Sequence, residues 1–254
     1  MPELPEVHTT VTGLQKVLPT LAITNIWSDM WSDAKICKNT IKDRSYFSYF
    51  KKYTLGPTVL GVRRRAKHIL VDLDNGFTMI IHMKMTGHLM YGKYKENKKY
   101  NGREWAWVPV ADEGEQKQTS KTNTSPLLDP YNRHIHVVFS LSNGKHLVFC
   151  DSRKFGTIVV EKTSTLHLER LAHLGPEPLE DSFTSAHFRE RLLKSPTRAI
   201  KTVLMDQTIV AGIGNIYSDE MLHRAHILPT RTSKSLSSKE FLALFSAMKE
   251  VLTR

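Results

Sequence analysis

The feature that most constrains the fold is a change of hydrophobic period along the chain. Between residues 21 and 161, short runs of β-forming residues alternate with turn residues, whereas later apolar residues recur at helical spacing. Two connections contain Asn75-Gly76 and Asn143-Gly144, and Asn-Gly is a strong hairpin signal. We therefore predict an α+β protein in which a two-sheet β-sandwich precedes an all-α region. The predicted strands are Leu21–Trp27, Thr58–Arg63, His68–Leu73, Phe77–His82, His134–Ser140, His146–Cys150 and Gly156–Glu161.

Helical patterns flank the β-rich region. Apolar residues recur at helical spacing until Pro19, which predicts one amphipathic helix over residues 3–18. The later predicted helices are Thr163–His173, Ser185–Lys194, Arg198–Met205, Asn215–Ala225 and Ser238–Leu252. The predicted domains are an N-terminal β-sandwich domain (1–161), a linker (162–178) and a helical domain (179–254).

A long polar segment at residues 92–130 separates the fourth and fifth predicted strands. It is too long for an ordinary connection, so we predict a mobile insertion. Trp105 and Trp107 alternate within it. They could cap the sandwich or stack on a nucleobase, and capping is the favoured interpretation.

The charge balance points to a polyanionic partner. The 254 residues include 36 Lys and Arg against 25 Asp and Glu, a formal charge of +11. Nucleic acid is favoured over a membrane because the chain has no basic amphipathic membrane helix. The chain has no signal-like start and no apolar run near the roughly 18 residues that span a bilayer, which predicts a cytoplasmic protein.

Metal or disulfide chemistry is not expected. Cys37 and Cys150 are the only cysteines and lie far apart, so they form neither a paired motif nor a zinc site. His134 and His136 share a strand face, but no further ligand is in register. We predict no metal and no cofactor in this chain.

The first six residues, Met1-Pro-Glu-Leu-Pro-Glu6, carry a candidate nucleophile. If Met1 is removed, Pro2 presents a secondary amine, and α-amino groups titrate at about 7.7–8.0, so part of it is neutral at cellular pH. Reaction with an aldehyde gives an iminium ion that favours elimination, and Glu3 and Glu6 place carboxylates nearby for proton transfer. The alternative is that the prolines only stiffen the start of a helix.

Three further stretches suggest a nucleic-acid interface. Gly212 and Gly214 would permit positive φ and close approach of a phosphate to the next helix, where Asn215 adds an amide. The Arg63–Lys67 turn is strongly cationic, and Arg153 and Lys154 adjoin Phe155 between two strands. Cations hold phosphates while an apolar wedge, to which Met85 could contribute, fills the space left by an unstacked base. Tight packing of the glycines and a solvated basic surface are the alternatives.

Six ordered stretches together resemble one family. The chain is similar to the formamidopyrimidine-DNA glycosylase and endonuclease VIII family, and its Glu-Leu-Pro-Glu start resembles the formamidopyrimidine (8-oxoguanine) branch. The stretches are Met1-Pro-Glu-Leu-Pro-Glu-Val7, Arg64-Arg-Ala-Lys67, His82-Met-Lys-Met-Thr-Gly87, Asp151-Ser-Arg-Lys-Phe-Gly156, Leu174-Gly-Pro-Glu-Pro-Leu179 and Leu204-Met-Asp…Gly212-Ile-Gly-Asn-Ile-Tyr217.

The resemblance implies a bifunctional DNA glycosylase and abasic-site lyase that acts on double-stranded DNA with an oxidised purine. It implies a catalytic β-sandwich domain and a helical domain with a helix–two-turn–helix motif. Carried over, the catalytic residues are the nucleophile Pro2, the general acid Glu3, the supporting carboxylate Glu6 and the phosphate contact Lys67. The implied DNA-binding residues are Arg64, Met85, Arg153, Lys154, Phe155, Gly214 and Asn215.

The resemblance leaves several points open. Family members usually continue into a C-terminal zinc finger with four cysteines, and this chain ends at Arg254 before one. We therefore expect a fragment, with a zinc-free variant as the alternative; zinc is expected only with that missing finger. Oxidised pyrimidines are the alternative substrates. A catalytically silent protein that binds damaged DNA is the alternative from another class. A monomer in a bacterial-type cytoplasm, associated with the nucleoid, is the default expectation.

Overall fold

The computed structural model describes residues 2–98, 105–110, 126–166 and 170–253. The chain divides into two compact units, each built from separate stretches. The first unit contains Gly13–Arg63 and Leu70–Thr163. The second contains Pro2–Thr12, Arg64–Ile69 and Ser164–Arg254, so the N-terminal residues and the Arg64–Ile69 turn group with the C-terminal part of the chain. The predicted domain boundaries and linker stay predictions.

Two antiparallel sheets make up the β-rich region. One has five strands in the order β1-β7-β8-β5-β6, and the other has four in the order β2-β3-β4-β9. The strands are β1 (Ile23–Ser28), β2 (Val59–Arg65), β3 (His68–Leu73), β4 (Phe77–His82), β5 (His88–Glu96), β6 (Trp107–Val110), β7 (Ile135–Leu141), β8 (His146–Cys150) and β9 (Thr157–Lys162).

Both predicted hairpins are present. Gly76 and Gly144 have φ of 78° and 77°, values that glycine adopts without steric cost. The turn at Gly76 joins neighbouring strands β3 and β4, and the turn at Gly144 joins β7 to β8. The predicted two-sheet β-sandwich, followed by helices, is confirmed as the fold class.

The prediction for the 92–130 segment is partly wrong. Strand β5 continues to Glu96, and β6 pairs with it antiparallel. Trp107 is buried, and its ring lies 6.0 Å from that of Trp27 in an edge arrangement. Lys, Tyr, Gly and Glu fill the second half of β5, so apolar and polar residues do not alternate there, which is why the sequence did not predict this strand. Residues 99–104 and 111–125 lie outside the described residues.

Helix α2 (Arg44–Thr54) was also missed. It begins after Asp43, whose carboxylate accepts a hydrogen bond of 2.9 Å from the Ser45 amide. Phe50 and Thr54 bury the inner face of the helix. Both the cap and the four-residue spacing were visible in the sequence.

The remaining helices are α1 (Leu4–Gln15), α3 (Ser185–Leu193), α4 (Ile200–Leu204), α5 (Asn215–Arg224) and α6 (Ser238–Leu252). Ser237 and Glu240 form a capping box at the start of α6, which was predicted as a helix over these residues. The helix predicted over Thr163–His173 is wrong for its described residues, which form turns that lead into Gly175 and Pro176. Helix α1 ends three residues earlier than predicted, and a hydrogen bond from the Leu18 amide to the Leu14 carbonyl continues into the following turn.

The helices of the second unit share one hydrophobic core. Phe188, Val203, Met221 and Leu244 are fully buried in it, and Leu4 of α1 belongs to the same cluster. The apolar side chain beside Glu3 thus anchors the start of the chain in the helical core. Within the described residues, no helix is long and apolar enough to cross a membrane.

Candidate functional site

The start of the chain is fixed in the second unit. Pro2 is half-buried, and Glu3 is only 1% exposed. The Glu3 amide donates a hydrogen bond of 2.9 Å to Glu6 Oε2, and the Leu4 amide donates one of 3.1 Å to the Gly212 carbonyl. Hydrogen bonds therefore fix the backbone at the two residues that follow Pro2.

The Glu3 carboxylate lies at the N-terminus of helix α5. Its Oε1 accepts a hydrogen bond of 2.9 Å from the Ile216 amide, and its Oε2 accepts a longer one of 3.4 Å from the Tyr217 amide. The N-cap residue, Gly214, provides no side-chain cap. Glu3 thus satisfies first-turn amides that would otherwise lack partners, at the end of the helix where a negative charge is favoured.

Gly214 is required for the close approach of Glu3. A Cβ atom at this position would lie 2.4 Å from Glu3 Cδ and 2.6 Å from each carboxylate oxygen. The prediction of positive φ is correct for Gly212, at 88°, and wrong for Gly214, at −131°. Glu3 thus occupies two of the amides at the helix end that was expected to bind phosphate. Asn215 is exposed, and its DNA contact stays a prediction.

Tyr217 joins the two carboxylates, a role that the sequence analysis did not assign. Its hydroxyl donates a hydrogen bond of 2.7 Å to Glu6 Oε1. Burial, together with the hydrogen bond to Glu6 and the nearby carboxylate charges, raises the pKa of Tyr217 above its ordinary value. Tyr217 is therefore a protonated donor at neutral pH. Its place in the Gly-Asn-Ile-Tyr stretch was the only available signal.

Lys67 is a buried cation near the same carboxylates. It follows Ala66, which has a φ of 52°, and is 6% exposed. Burial lowers the pKa of Lys67, and the negative charges of Glu3 and Glu6 oppose that effect only in part. A buried ammonium with a lowered pKa beside two carboxylates is typical of functional sites.

Glu177 organises the cationic turn before Lys67. Its Oε1 accepts hydrogen bonds from Arg65 Nη1 at 2.9 Å and from the Ala66 amide at 2.5 Å, and its Oε2 lies 2.6 Å from Arg64 Nη2. Burial alone would raise the pKa of Glu177, but the Arg64 charge and these hydrogen bonds outweigh it and hold the pKa below its usual range. The Leu174–Leu179 stretch, which overlaps the predicted linker, supplies this anchor. Arg64 has an internal partner, and its contact with DNA stays a prediction.

Gln207 braces the loop before α5. Its side-chain amide donates to the Ile213 carbonyl at 2.7 Å, and its Oε1 accepts from the Gly212 amide at 2.9 Å. Arg191 donates to the Ile209 carbonyl at 3.0 Å in the same loop. These bonds fix the backbone that faces Glu3 and Leu4.

Four predicted DNA-binding residues lie in the first unit. Met85 and Phe155 are 47% and 46% exposed, although both are large and apolar. The Arg153 guanidinium lies 4.4 Å from the centre of the Phe155 ring and donates to Met85 Sδ at 3.2 Å. Lys154 has a φ of 53° and donates to the Asp29 carbonyl at 3.0 Å, so it fixes its own turn. The structure thus brings the predicted wedge residues together.

The described residues contain no group of three or more His, Cys, Asp or Glu side chains that could hold a metal. The chain's two cysteines are free and buried, so they do not fit the four-cysteine zinc site that the family resemblance implies. The His136 Nδ1 atom lies 2.7 Å from Asp29 Oδ1, which gives this histidine a structural partner. The expectation of no metal in this chain stays a prediction.

Comparison with known families covers most of the chain. Residues 1–158 match the formamidopyrimidine-DNA glycosylase N-terminal domain, and residues 174–254 match the formamidopyrimidine-DNA glycosylase H2TH domain. A formamidopyrimidine-DNA glycosylase of Pelotomaculum thermopropionicum is 36% identical over 99% of this chain and 76% of its own length. One of Listeria monocytogenes is 34% identical over 100% of this chain and 77% of its own length.

Solved structures of a Lactococcus lactis enzyme, Fpg, are similar to this chain at 28% identity. Its complex with DNA containing an abasic site has a TM-score of 0.76 and covers 99% of this chain and 77% of the other. Its complex with DNA containing an oxidised pyrimidine has a TM-score of 0.75, with 99% and 79% covered.

Proposed function

This chain belongs to the formamidopyrimidine-DNA glycosylase family, and from that premise we propose that it excises oxidised purines from double-stranded DNA and then cleaves the strand. Enzymes of this family are DNA glycosylases of base excision repair with an abasic-site lyase activity. Formamidopyrimidine and 8-oxoguanine are the proposed lesions. One observation carries the proposal: next to Pro2, a buried Glu3 carboxylate is held by the first-turn amides of α5.

The proposed nucleophile is the Pro2 amine, freed by removal of Met1. Its nitrogen forms a bond to C1′ of the damaged nucleoside while the glycosidic bond breaks, and the base leaves with that electron pair and a proton. The sugar ring then opens to an iminium ion as its ring oxygen accepts a proton. The fixed backbone after Pro2 supports this role because a positioned nucleophile loses little entropy on reaction.

Glu3 is the proposed proton donor to the ring oxygen. Its burial and its two amide partners set the direction of its carboxyl group. Glu6 is proposed as a supporting carboxylate, because Tyr217 and the Glu3 amide each donate to one of its oxygens. Such a network holds the general acid in one orientation, which general acid–base catalysis requires.

The strand is proposed to be cut by β,δ-elimination from the iminium ion. A C2′ proton is lost and the 3′ phosphate leaves; a second elimination then expels the 5′ phosphate, and water releases the sugar remnant from Pro2. Lys67 is proposed to contact the phosphate next to the lesion. Its charge is costly inside the protein and gains a partner when a phosphate binds.

The wedge residues Met85, Arg153 and Phe155 are proposed to fill the space left by the extruded base. Their exposure and mutual contacts support this role, because an apolar surface backed by a cation matches a gap in a stacked duplex. Lys154, Arg64, Gly214 and Asn215 are proposed to contact or position the DNA backbone. Extrusion costs a few kcal/mol, which these contacts offset, and costs least at a damaged pair.

Product analysis on three duplexes tests the proposed substrate. The lesions are 8-oxoguanine, formamidopyrimidine and an oxidised pyrimidine, each opposite its normal partner. We expect the two purine lesions to be excised fastest, with phosphate at both ends of the gap. Because a relative binds oxidised-pyrimidine DNA, faster pyrimidine excision would support an endonuclease VIII-like preference instead.

Two variants test the proposed mechanism in the same assay. Glu3→Gln should slow excision by roughly 10²–10⁴-fold, and Pro2→Gly should slow the lyase step. Unchanged excision in both variants would contradict the mechanism. Binding of all three duplexes by the wild type without any cleavage would support a silent damage-binding protein.

A further inference from the structure

Helix α2 carries a row of alternating cations and aromatic rings that the proposed reaction does not use. The Arg44 guanidinium carbon lies 4.7 Å from the centre of the Trp31 ring. The Trp31 ring meets the Phe47 ring edge to face, with centroids 5.0 Å apart, and Lys51 Nζ lies 4.6 Å from the centre of the Phe47 ring. We call these four residues the α2 row. Its three helical members are spaced by three and four residues, so they share one face of α2.

The two cations of the α2 row have no acidic partner. Among the described residues, no carboxylate oxygen lies within ion-pair distance of either cation, and no atom accepts a hydrogen bond from the Arg44 side chain. Arg63, Arg198 and Arg224, by contrast, each lie within 2.8 Å of a carboxylate oxygen. A guanidinium that rests on a ring uses its flat face, so the N–H groups at its edge stay available. Arg44 is therefore held in place with its donors unused, as a phosphate-binding arginine requires.

The chain that carries the α2 row is cationic. Residues 29–54 contain six Lys and Arg against three Asp. Two of these three carboxylates already have partners within the protein, because Asp29 lies 2.7 Å from a histidine nitrogen and Asp43 caps the start of α2. Lys52 adds an exposed cation next to the row. The uncompensated positive charge favours a polyanionic partner.

The α2 row adjoins the wedge residues. Trp31 lines one groove together with Arg153 and Phe155. Lys42, just before α2, lines the same groove and donates to the Lys154 carbonyl at 2.6 Å, which ties the approach to α2 to the turn that carries Phe155. Because the wedge residues are proposed to enter a DNA duplex, the polyanion next to them is the continuation of that duplex.

We infer that the α2 row binds phosphates of the undamaged duplex on one side of the lesion. The inference rests on the proposed function, because the wedge residues set where the duplex lies. Arg44 donates to one phosphate, and Lys51 contacts another about 10 Å further along the helix, since seven residues at 1.5 Å each separate them. That distance is about three steps of a DNA strand at its 3.4 Å axial spacing. The α2 row thus lengthens the bound duplex without reading its bases.

Duplexes with arms of different length test the inference. Each carries tetrahydrofuran in place of the damaged nucleotide, so there is no base to excise. One duplex has about twelve base pairs on each side of the lesion. The other two have either the 5′ or the 3′ arm cut to about three base pairs, which is shorter than the roughly five base pairs that α2 can span. Fluorescence anisotropy over a series of salt concentrations gives the Kd and its salt dependence.

One matched pair of double variants is compared with the wild type. Arg44→Gln/Lys51→Gln removes the two cations of the α2 row. Lys95→Gln/Lys145→Gln is the control, because it removes the same charge from the same unit. Lys145 also lies over an aromatic ring, 5.4 Å from the centre of Tyr91, and Lys95 is exposed. The control therefore separates a local phosphate contact from a general loss of positive charge.

We expect Arg44→Gln/Lys51→Gln to weaken binding of the long duplex roughly tenfold at low salt. The slope of log K against log salt concentration should become less negative by about 1.8, because each phosphate contact contributes about 0.9. The deficit should vanish on the duplex whose shortened arm no longer reaches the α2 row, and it should persist on the other shortened duplex. Equal binding of the first of these by variant and wild type also shows that the variant is folded. The control should keep the wild-type slope on all three duplexes.

Any other pattern overturns the inference. An unchanged slope on the long duplex would show that the α2 row contacts no phosphate, and an equal deficit on all three duplexes would place the effect at the lesion or in folding. Two duplexes bound per protein in sedimentation would assign the row to a second DNA molecule instead. Reductive trapping of the wild type on 8-oxoguanine DNA is an independent readout, since its failure with arm-dependent binding intact contradicts the catalytic proposal alone.

Discussion

The Glu3 side chain accepts hydrogen bonds from amides in the first turn of helix α5. Helix ends leave amides without partners, and Gly214 has no side chain to cap them. Glu3 fills that gap and becomes fixed beside Pro2. Lys67 and Glu177 are also buried charges of the second unit. The pKa of each is lowered, but by different causes: burial lowers that of Lys67, and the paired arginines lower that of Glu177.

The Lys67→Met substitution should lower activity but raise thermal stability at neutral pH. Loss of the cation should slow excision roughly 10²-fold, as for removal of one electrostatic contact. The folded protein binds the Lys67 proton less tightly than the unfolded chain does, so this group lowers stability at neutral pH and the penalty disappears as the pH rises towards 10.5. We therefore expect a higher Tm for the variant at pH 7 and a smaller difference at pH 10. A Tm below that of the wild type at pH 7 would contradict the inference that the buried charge of Lys67 destabilises the folded protein.

Glu177→Gln should destabilise the second unit. Removal of one partner from a buried ion pair costs about 3 kcal/mol, which urea unfolding can measure. The lowered pKa means that Glu177 stabilises the protein above its ordinary pKa of 4.5 and that this contribution is lost as the pH falls through the folded value. The difference between wild type and variant should therefore shrink in acid.

Glu250→Gln is the matched control for that variant. Glu250 pairs with Arg224 but is 54% exposed, so its loss should cost less than about 1 kcal/mol. If both variants lose the same free energy of unfolding, Glu177 contributes no more to stability than an exposed ion pair.

At the scale of elements, the loop before α5 and the start of α1 depend on each other. Gly212 accepts a hydrogen bond from Leu4, and Gly214 leaves room for Glu3. Gln207 holds the loop at three backbone positions. The geometry around Pro2 and Glu3 is therefore a property of two elements packed together and not of the N-terminal helix alone.

Gly214→Ala tests that dependence. The added Cβ would lie 2.4 Å from Glu3 Cδ, so the carboxylate must move. We expect excision to fall by roughly 10²-fold, the lower end of the range expected for Glu3→Gln, and the free energy of unfolding to fall by about 1–3 kcal/mol.

Gly13→Ala provides the control for the glycine substitution. Gly13 lies in α1 with no heavy atom within 4 Å of an added Cβ. Alanine in a helix is more stable than glycine by roughly 0.5–1 kcal/mol. Its activity should match the wild type; full activity in Gly214→Ala would show that Glu3 need not occupy its present position.

Over the whole molecule, the features that the sequence predicts are those set by a few neighbouring residues. Asn-Gly turns set both hairpins, and Ser237 with Glu240 set the start of α6, since each signal spans a few residues. The contacts of Glu177 with Ala66 and of Tyr217 with Glu6 join residues 111 and 211 positions apart. Spacing along the chain carries no information on such pairs. The family motifs therefore pointed to candidate site residues but not to the hydrogen bonds that hold them.

The central claim is that Pro2 is the nucleophile of a base-excision enzyme. Borohydride reduction during reaction with a duplex that contains 8-oxoguanine opposite cytosine would convert the iminium ion into a stable amine. Mass spectrometry of the digested product then locates the bond. We expect a covalent adduct at the nitrogen of Pro2. An adduct on Lys67 or another lysine, or none from a protein with a free Pro2 that binds the duplex, would contradict the proposed mechanism.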